Sequence, residues 1–300
     1  MTASTGKRLI KFTNAFIGMC LLTIAPAIAN PFFAFDNGVG RNLAWPPMKQ
    51  ATVLKQLGYD GIGYTGTENF TERQRAFAEQ GLRIFNLYVT CFVDKTESYD
   101  PQLKETIKLL KDKDVDLWIT VQGNAPDDAN AVRVVQEIAD EAAKAGVRVV
   151  LYPHKGFFVA TADDAMRILR AANRPNLGLS INLCHELAAG NANRMDVIVQ
   201  ACAAHLFLVS INGADSAGGW SELIRPLGEG NFDVPRFLKS LGAAGYKGPI
   251  GLQCYMIPGA PEDHLKRSIN NWKEISGTLK DPTGNVNGTS PRSGTFFQVH

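Results

Sequence analysis

Hydrophobic and polar positions along the chain follow one rhythm after residue 30. Short apolar runs alternate with stretches of helical spacing. Strand-like runs fall at 31–37, 60–64, 82–92, 115–122, 147–152, 176–182, 206–212 and 249–255. They are rich in Val, Ile and Leu and do not alternate cleanly, as parallel strands buried on both faces do not. Between them, apolar residues recur at helical spacing over 48–57, 71–80, 101–110, 127–145, 161–172, 194–204, 233–244 and 261–275. Gly58, Gly81, Gly146 and Gly245 stand where several helices end, and glycine takes the left-handed turn there without strain. Eight strand–helix units in series predict an α/β chain closing into a single-domain (β/α)8 TIM barrel over residues 30–279. An open doubly wound sheet would carry a phosphate fingerprint after its first strand, and Gly38-Val39-Gly40-Arg41-Asn42-Leu43 lacks the third glycine.

The ends of the chain break the rhythm. Lys7, Arg8 and Lys11 precede an apolar stretch from Phe16 that ends in Ala27-Ile28-Ala29. A basic flank, a short apolar run and an A-x-A site predict a secretory signal peptide over 1–29, and hence a secreted or periplasmic protein with no membrane contact after cleavage. Residues 280–300 are rich in Gly, Ser, Thr, Pro and Asn and read as a disordered tail. Export leaves Cys91, Cys184, Cys202 and Cys254, which lie in or beside apolar runs and read as four buried thiols rather than two disulfides. A net charge of +2, with both signs interspersed, argues against nucleic acid as a partner.

In a barrel the chemistry gathers at the C-terminal strand ends. The fifth strand runs into Tyr152-Pro153-His154-Lys155-Gly156. Pro153 keeps Tyr152 extended, and residues two apart on a strand share a face, so Tyr152 and His154 project together. The other ends contribute Asp36 and Asn37, Tyr64, Gln122, Asn182 and His185, Ser210 and Asn212, and Gln253 and Tyr255. Such a crown of amides, hydroxyls and imidazoles suits a small-molecule carbohydrate, whose hydroxyls need both donors and acceptors. His154 and His185 are the candidate catalytic bases, since imidazole titrates near working pH. Tyr152, Lys155, Asn182, Asn212, Gln253 and Tyr255 are the candidate substrate-binding residues. Glu229 sits in a glycine-rich loop from which it could return a carboxylate to the site, and His264 reads as a surface-helix residue.

Four stretches carry a family resemblance: Leu151 to Gly156, Gly178 to His185, Ser210 to Gly213 and Gly245 to Gln253. With the order of the eight units, they make residues 31–276 resemble the xylose-isomerase-like, sugar phosphate isomerase/epimerase-type TIM barrels. That resemblance implies a divalent metal (Mn, Mg, Zn or Co) held by acids ending strands five, six and eight and by histidines. This chain departs from the ligand pattern. Tyr152 stands for the strand-five acid, Asn182 for the strand-six aspartate, Ser210 for the strand-seven histidine and Gln253 for the strand-eight glutamate. His154 and His185 are the only retained ligand candidates. Neutral amides do not offset the dehydration of a dication as carboxylates do, so the cofactor stays open. Three functions are compatible with these residues: an exported sugar isomerase or epimerase working by proton abstraction beside a carbonyl, a keto-glycoside lyase or hydrolase starting from the same enolisation, and a carbohydrate-binding barrel that has lost the metal. An oligomer is compatible with all three.

Overall fold

A computed structural model describes Met1 and residues 30–280. The expected signal peptide, apart from Met1, and the expected tail after Lys280 lie outside the described residues. Eight parallel strands close in sequence order into a barrel. They are β1 (Phe32–Phe35), β2 (Gly61–Thr65), β3 (Arg83–Phe92), β4 (Asp116–Gln122), β5 (Val149–Leu151), β6 (Leu177–Asn182), β7 (Leu206–Ile211) and β8 (Ile250–Leu252). Closure is made by β1 on β8, with Phe33 paired to Gly251. The helices are α1 (Pro47–Leu57), α2 (Phe70–Glu79), α3 (Leu103–Leu109), α4 (Ala129–Lys144), α5 (Ala162–Ala172), α6 (Leu183–Ala188), α7 (Met195–Cys202), α8 (Trp220–Leu223), α9 (Val234–Ala243) and α10 (Pro261–Lys280). Among the described residues, no helix is long and apolar enough to cross a membrane.

The expected single-domain barrel is therefore the observed one, with differences at element ends. Helix α5 starts where a cap was readable: Thr161 and Asp164 form a reciprocal capping box. Helices α6 and α8 escaped the periodicity. Helix α6 follows β6 without a loop and is too short to show a repeat. The last helix continues past Ile275 to Lys280. His264, expected on a surface, is buried on α10, because that helix packs its inner face against Gly38 and Cys254. Among the described residues, Cys91, Cys184, Cys202 and Cys254 are buried and unpaired.

Two cores hold the barrel. The larger lies between strands and helices and is mostly aliphatic. The smaller fills the barrel interior and is aromatic: Phe33, Phe35, Phe85, Trp118 and Tyr152, with Val150 and Leu208. Phe33 stacks on Phe85 at 4.6 Å, Phe35 on Trp118 at 4.7 Å, and Trp118 on Tyr152 at 3.8 Å. Each such pair adds about 0.5–1.5 kcal/mol beyond its buried area. Rings this large fit because neighbouring strands present glycine to the same layer. A Cβ on Gly63 would lie 2.7 Å from Phe35, and one on Gly251 would lie 2.6 Å from Phe35 and 2.7 Å from Phe33. At the closed lower end, Arg148 donates two 2.8 Å hydrogen bonds to buried Asp116.

This packing makes Gly251 intolerant of a side chain. Gly251→Val should cost about 1–3 kcal/mol, the usual range for overpacking. Gly242→Ala, in a helix with nothing near the new methyl, should be neutral or stabilise by about 0.5–1 kcal/mol. Urea unfolding of the two variants beside the parent checks the pair, and equal midpoints would refute the interior-glycine argument.

Candidate functional site

The C-terminal mouth of the barrel opens into a cavity of about 340 Å³. Its floor is the top of the aromatic column, with Phe35, Trp118 and Tyr152, and its walls include Tyr88, His154, His185, Gln253 and Tyr255. Tyr152 follows β5 directly, and its N–H donates to the Ile119 carbonyl at 2.8 Å, so the ladder continues through it. The extended path imposed by Pro153 then places His154 above Tyr152, with ring centres 5.6 Å apart. His185 arrives from the other side on the first turn of α6. Glu186, fully buried, accepts from Ala162 N–H at 2.7 Å and from Asn191 Nδ2 at 2.7 Å. Those bonds tie α6 to the start of α5 and set the angle at which His185 enters.

The two imidazoles lie 4.0 Å apart, centre to centre, and their hydrogen bonds fix distinct roles. The Lys155 carbonyl can only accept, so His154 Nδ1 at 3.1 Å carries a hydrogen and donates it. His154 Nε2 then holds the lone pair, and among the described residues no group hydrogen-bonds to it. The Lys155 N–H can only donate, and it points at His185 Nδ1 at 3.4 Å. His185 Nδ1 is thus the acceptor, and its Nε2–H faces the Tyr152 hydroxyl at 3.1 Å. Burial holds His154 below the ordinary imidazole range, resisted by the bond to Lys155 O. Burial pulls His185 much further down, and a proton on His154 would add to the effect. Both rings are neutral at neutral pH. The Tyr152 phenol is driven well above its ordinary value, chiefly by burial, and stays protonated.

Gln253 is oriented by three donors. Its Oε1 accepts from Asn37 Nδ2 at 2.6 Å, Cys254 N–H at 3.0 Å and Tyr255 N–H at 3.1 Å. The amide nitrogen is left as the free end, in the lining of the cavity. Arg41 supplies the formal charge of the lining, and it is half balanced already by Asp36, 3.7 Å away. Asp36 in turn accepts from Thr65 Oγ1 at 2.8 Å, while burial raises its pKa.

Of the residues chosen from sequence, Tyr152, His154, His185, Gln253 and Tyr255 line this one cavity. Three others are placed elsewhere. Asn182 is fully buried beneath the floor, donating to Pro153 O at 3.0 Å and Ser180 Oγ at 3.1 Å. Asn212 is fully buried too, and its Nδ2 donates to Gly213 O and Leu223 O, both at 2.7 Å, pinning the loop after β7. Neither lines the cavity: the Nδ2 of each donates to main chain, and Asn212 Oδ1 is buried with no partner among the described residues. Lys155 is exposed beyond the rim and offers the site its backbone, not its ammonium. Glu229 is turned outward in an ion pair with Arg267. Sequence reasoning did not select Arg41, Tyr88, Trp118 and Trp220. Trp118 could have been found from its spacing, since Asp116, Trp118, Thr120 and Gln122 share one face of β4. Trp220, edge-on to His185 at 5.4 Å, comes from a long loop after β7 with no periodic signal.

The residues present do not fit a divalent metal. Asn182 Oδ1 already accepts from Ser210 Oγ at 3.0 Å, and Trp118 Nε1 donates to Ser180 Oγ at 2.8 Å, so the positions under the floor satisfy one another. Both ring nitrogens of His185 are engaged. Among the described residues, no three His, Cys, Asp or Glu side chains come together. Two neutral imidazoles without carboxylates do not supply the charge that a hard dication requires.

Comparison with known proteins agrees with this architecture. A family model described as xylose isomerase-like TIM barrel matches residues 51–275. A ketose 3-epimerase of Arthrobacter globiformis is 27% identical over 150 residues, which span 49% of this chain and 48% of that protein. The match thus spans about half the length of that curated relative. An L-ribulose 3-epimerase structure superposes with TM-score 0.69 at 15% identity, over 87% of this chain and 99% of that one. The IOLI protein, solved with a zinc atom, superposes with TM-score 0.68 at 17% identity, over 83% and 99%. At those identities the superpositions establish the fold alone.

The proton positions are directly measurable. A ¹⁵N-histidine NMR spectrum at pH 7 should show His154 neutral with its proton on Nδ1 and His185 neutral with its proton on Nε2. A charged His185 ring at that pH would contradict the geometry.

Proposed function

Since the chain belongs to the xylose isomerase-like TIM barrel family, we propose that it is an exported sugar isomerase- or epimerase-like enzyme that removes a proton beside a carbonyl. One observation carries this reading: His154 Nε2 is an unpartnered lone pair in the lining of an aromatic cavity at the catalytic end of the barrel. An imidazole there, held neutral by burial, is in its base form throughout the neutral range. The aromatic walls suit the apolar faces of a sugar ring, and Gln253 and Tyr255 suit its hydroxyls. The similarity to a ketose 3-epimerase supports a ketose or keto-sugar over other carbonyl compounds. Export is supported by the basic, apolar and A-x-A order of residues 7–29.

The proton passes from the carbon to His154 Nε2, and the C–H pair becomes the C=C bond of an enol or enolate. Return of the proton to the other face gives an epimer, and delivery to the neighbouring carbon gives an isomer. Expulsion of a glycosidic oxygen from the carbon beyond gives the lyase outcome from the same intermediate. The self-satisfied network around Asn182 and Ser210 favours a second reading, a carbohydrate-binding barrel without turnover.

Incubation with ketoses, aldoses and 3-keto-sugars in D₂O separates the two, with deuterium at the carbon beside the carbonyl as the readout. His154→Gln should lower exchange by about 100-fold or more, the usual weight of a general base. The pH profile should hold through neutrality and fall only as pH drops through the lowered His154 pKa, below the ordinary imidazole range. Sugar binding with no exchange by the parent protein would favour the binding barrel.

A further inference from the structure

We propose that Tyr152 is the electrophile of this site, its O–H donating to the substrate's carbonyl oxygen in the place where related barrels hold a metal. This rests on the reading that His154 removes a proton there. Abstraction beside a carbonyl pushes an electron pair onto the oxygen, and the rate depends on what receives that charge. Among the described residues, no cluster of three His, Cys, Asp or Glu side chains could hold a dication to receive it, and Arg41 already faces Asp36. What the cavity does present is a hydroxyl whose oxygen is supplied with a donor from the protein.

One hydrogen is directed at the Tyr152 oxygen: His185 Nε2–H at 3.1 Å, with the tautomer set by Lys155 N–H on the opposite nitrogen. The Gln253 amide lines the same cavity, its orientation fixed because Asn37, Cys254 and Tyr255 all donate to its Oε1. A hydroxyl that accepts from a neighbour has its own hydrogen left to give. Among the described residues, no protein acceptor takes it. Trp118, stacked face to face at 3.8 Å, fixes the ring, so the O–H needs no reorganisation when charge develops. The donation from His185, itself held by Lys155 N–H, also polarises the phenol, as linked hydrogen bonds do.

The step balances without a cofactor. The C–H electron pair forms the C=C bond, the C=O π pair moves onto oxygen, the carbon's proton rests on His154 Nε2, and the Tyr152 O–H hydrogen bonds or is shared with the enolate oxygen. The reverse movement, with His154 Nε2–H giving the proton to the next carbon, or to the other face once the enolate has turned over in the cavity, regenerates both groups. In this arrangement His154 is a catalytic residue, and so is Tyr152. His185 acts through Tyr152 and is a positioning residue, while Gln253, held by Asn37, is left to the sugar's hydroxyls.

The test compares the parent protein with Tyr152→Phe, which keeps the ring stack and removes only the O–H. Three readouts are taken: deuterium exchange into an accepted sugar, affinity for that sugar, and affinity for a hydroxamate of the matching sugar acid, whose oxygen mimics the enolate. Exchange should fall about 100-fold or more, as it does when an oxyanion donor is removed. Sugar affinity should stay within about threefold, and the preference for the hydroxamate over the sugar should vanish, as differential binding requires. Exchange by the parent should survive dialysis against a chelator and gain nothing from added Mn²⁺, Mg²⁺ or Zn²⁺. Exchange in Tyr152→Phe within about threefold of the parent, or exchange lost to the chelator and restored by a metal, overturns the electrophile while leaving the base in place. A parent protein that exchanges no sugar proton overturns both. If Tyr152→Phe fails to fold, the chelator arm and the parent's hydroxamate preference still decide, and a parent without that preference refutes the proposal.

Discussion

The face-to-face stack of Trp118 on Tyr152 is the contact on which the rest of the site depends. It continues downward through Phe35, and Phe33 with Phe85 packs below, so the barrel interior is an aromatic column. A column of that width closes only because Gly63 and Gly251 leave their side-chain space to the phenylalanines. The consequence reaches the mouth. Tyr152 cannot tilt without disturbing Trp118, and Trp118 is held from the side by its Nε1 bond to Ser180. The hydroxyl of Tyr152 is therefore a fixed point, and His185, Gln253 and His154 are arranged around it. The packing link and the chemical link are the same residue.

Neutrality is the second property that follows. The interior presents rings, amides and hydroxyls, and the polar atoms around Ser180, Asn182 and Ser210 are paired with one another or with main chain. In such surroundings a charge is expensive and a dipole is strong. Both histidines stay neutral and the phenol stays protonated for that one reason. The site can then offer a lone pair from His154 and a hydrogen from Tyr152 at the same pH. Neither residue has to wait for the other to titrate.

The fold was legible because a parallel barrel repeats one simple instruction eight times, and glycine at the helix ends punctuates it. The site was legible to a lesser depth. Strand position told which residues lie near the mouth, and five of the chosen side chains do line the cavity. It did not tell which of them are free to meet a ligand. Asn182 and Asn212 look like Gln253 in sequence, yet their amides close backbone bonds, and only the three-dimensional partner list separates them. Helix α6 and the loop bearing Trp220 were invisible for a different reason: six residues cannot show a helical repeat, and a loop has none. The tautomers of the two imidazoles depend on Lys155, whose contribution is its backbone N–H and C=O and not the side chain that drew attention to it.

The neutral residues Tyr152, Asn182, Ser210 and Gln253, which stand where the resemblance implies metal ligands, form one joint set. Asp116, lower in the same barrel, shows what an acid meets here. Two 2.8 Å bonds from Arg148 do not keep it at an ordinary value, and burial still lifts its pKa to about 6. An isolated acid at Gln253 would be desolvated by the same walls and would have no arginine of its own. It would also face the Asn37, Cys254 and Tyr255 donors with two oxygens and no hydrogen left to give. An acid at Tyr152 would remove the ring that caps Trp118. Installing one ligand therefore strands a charge, while installing all four dismantles the column. The neutral set and the aromatic interior sustain each other, so an electrophile in this barrel has to be a hydrogen-bond donor already built into that set.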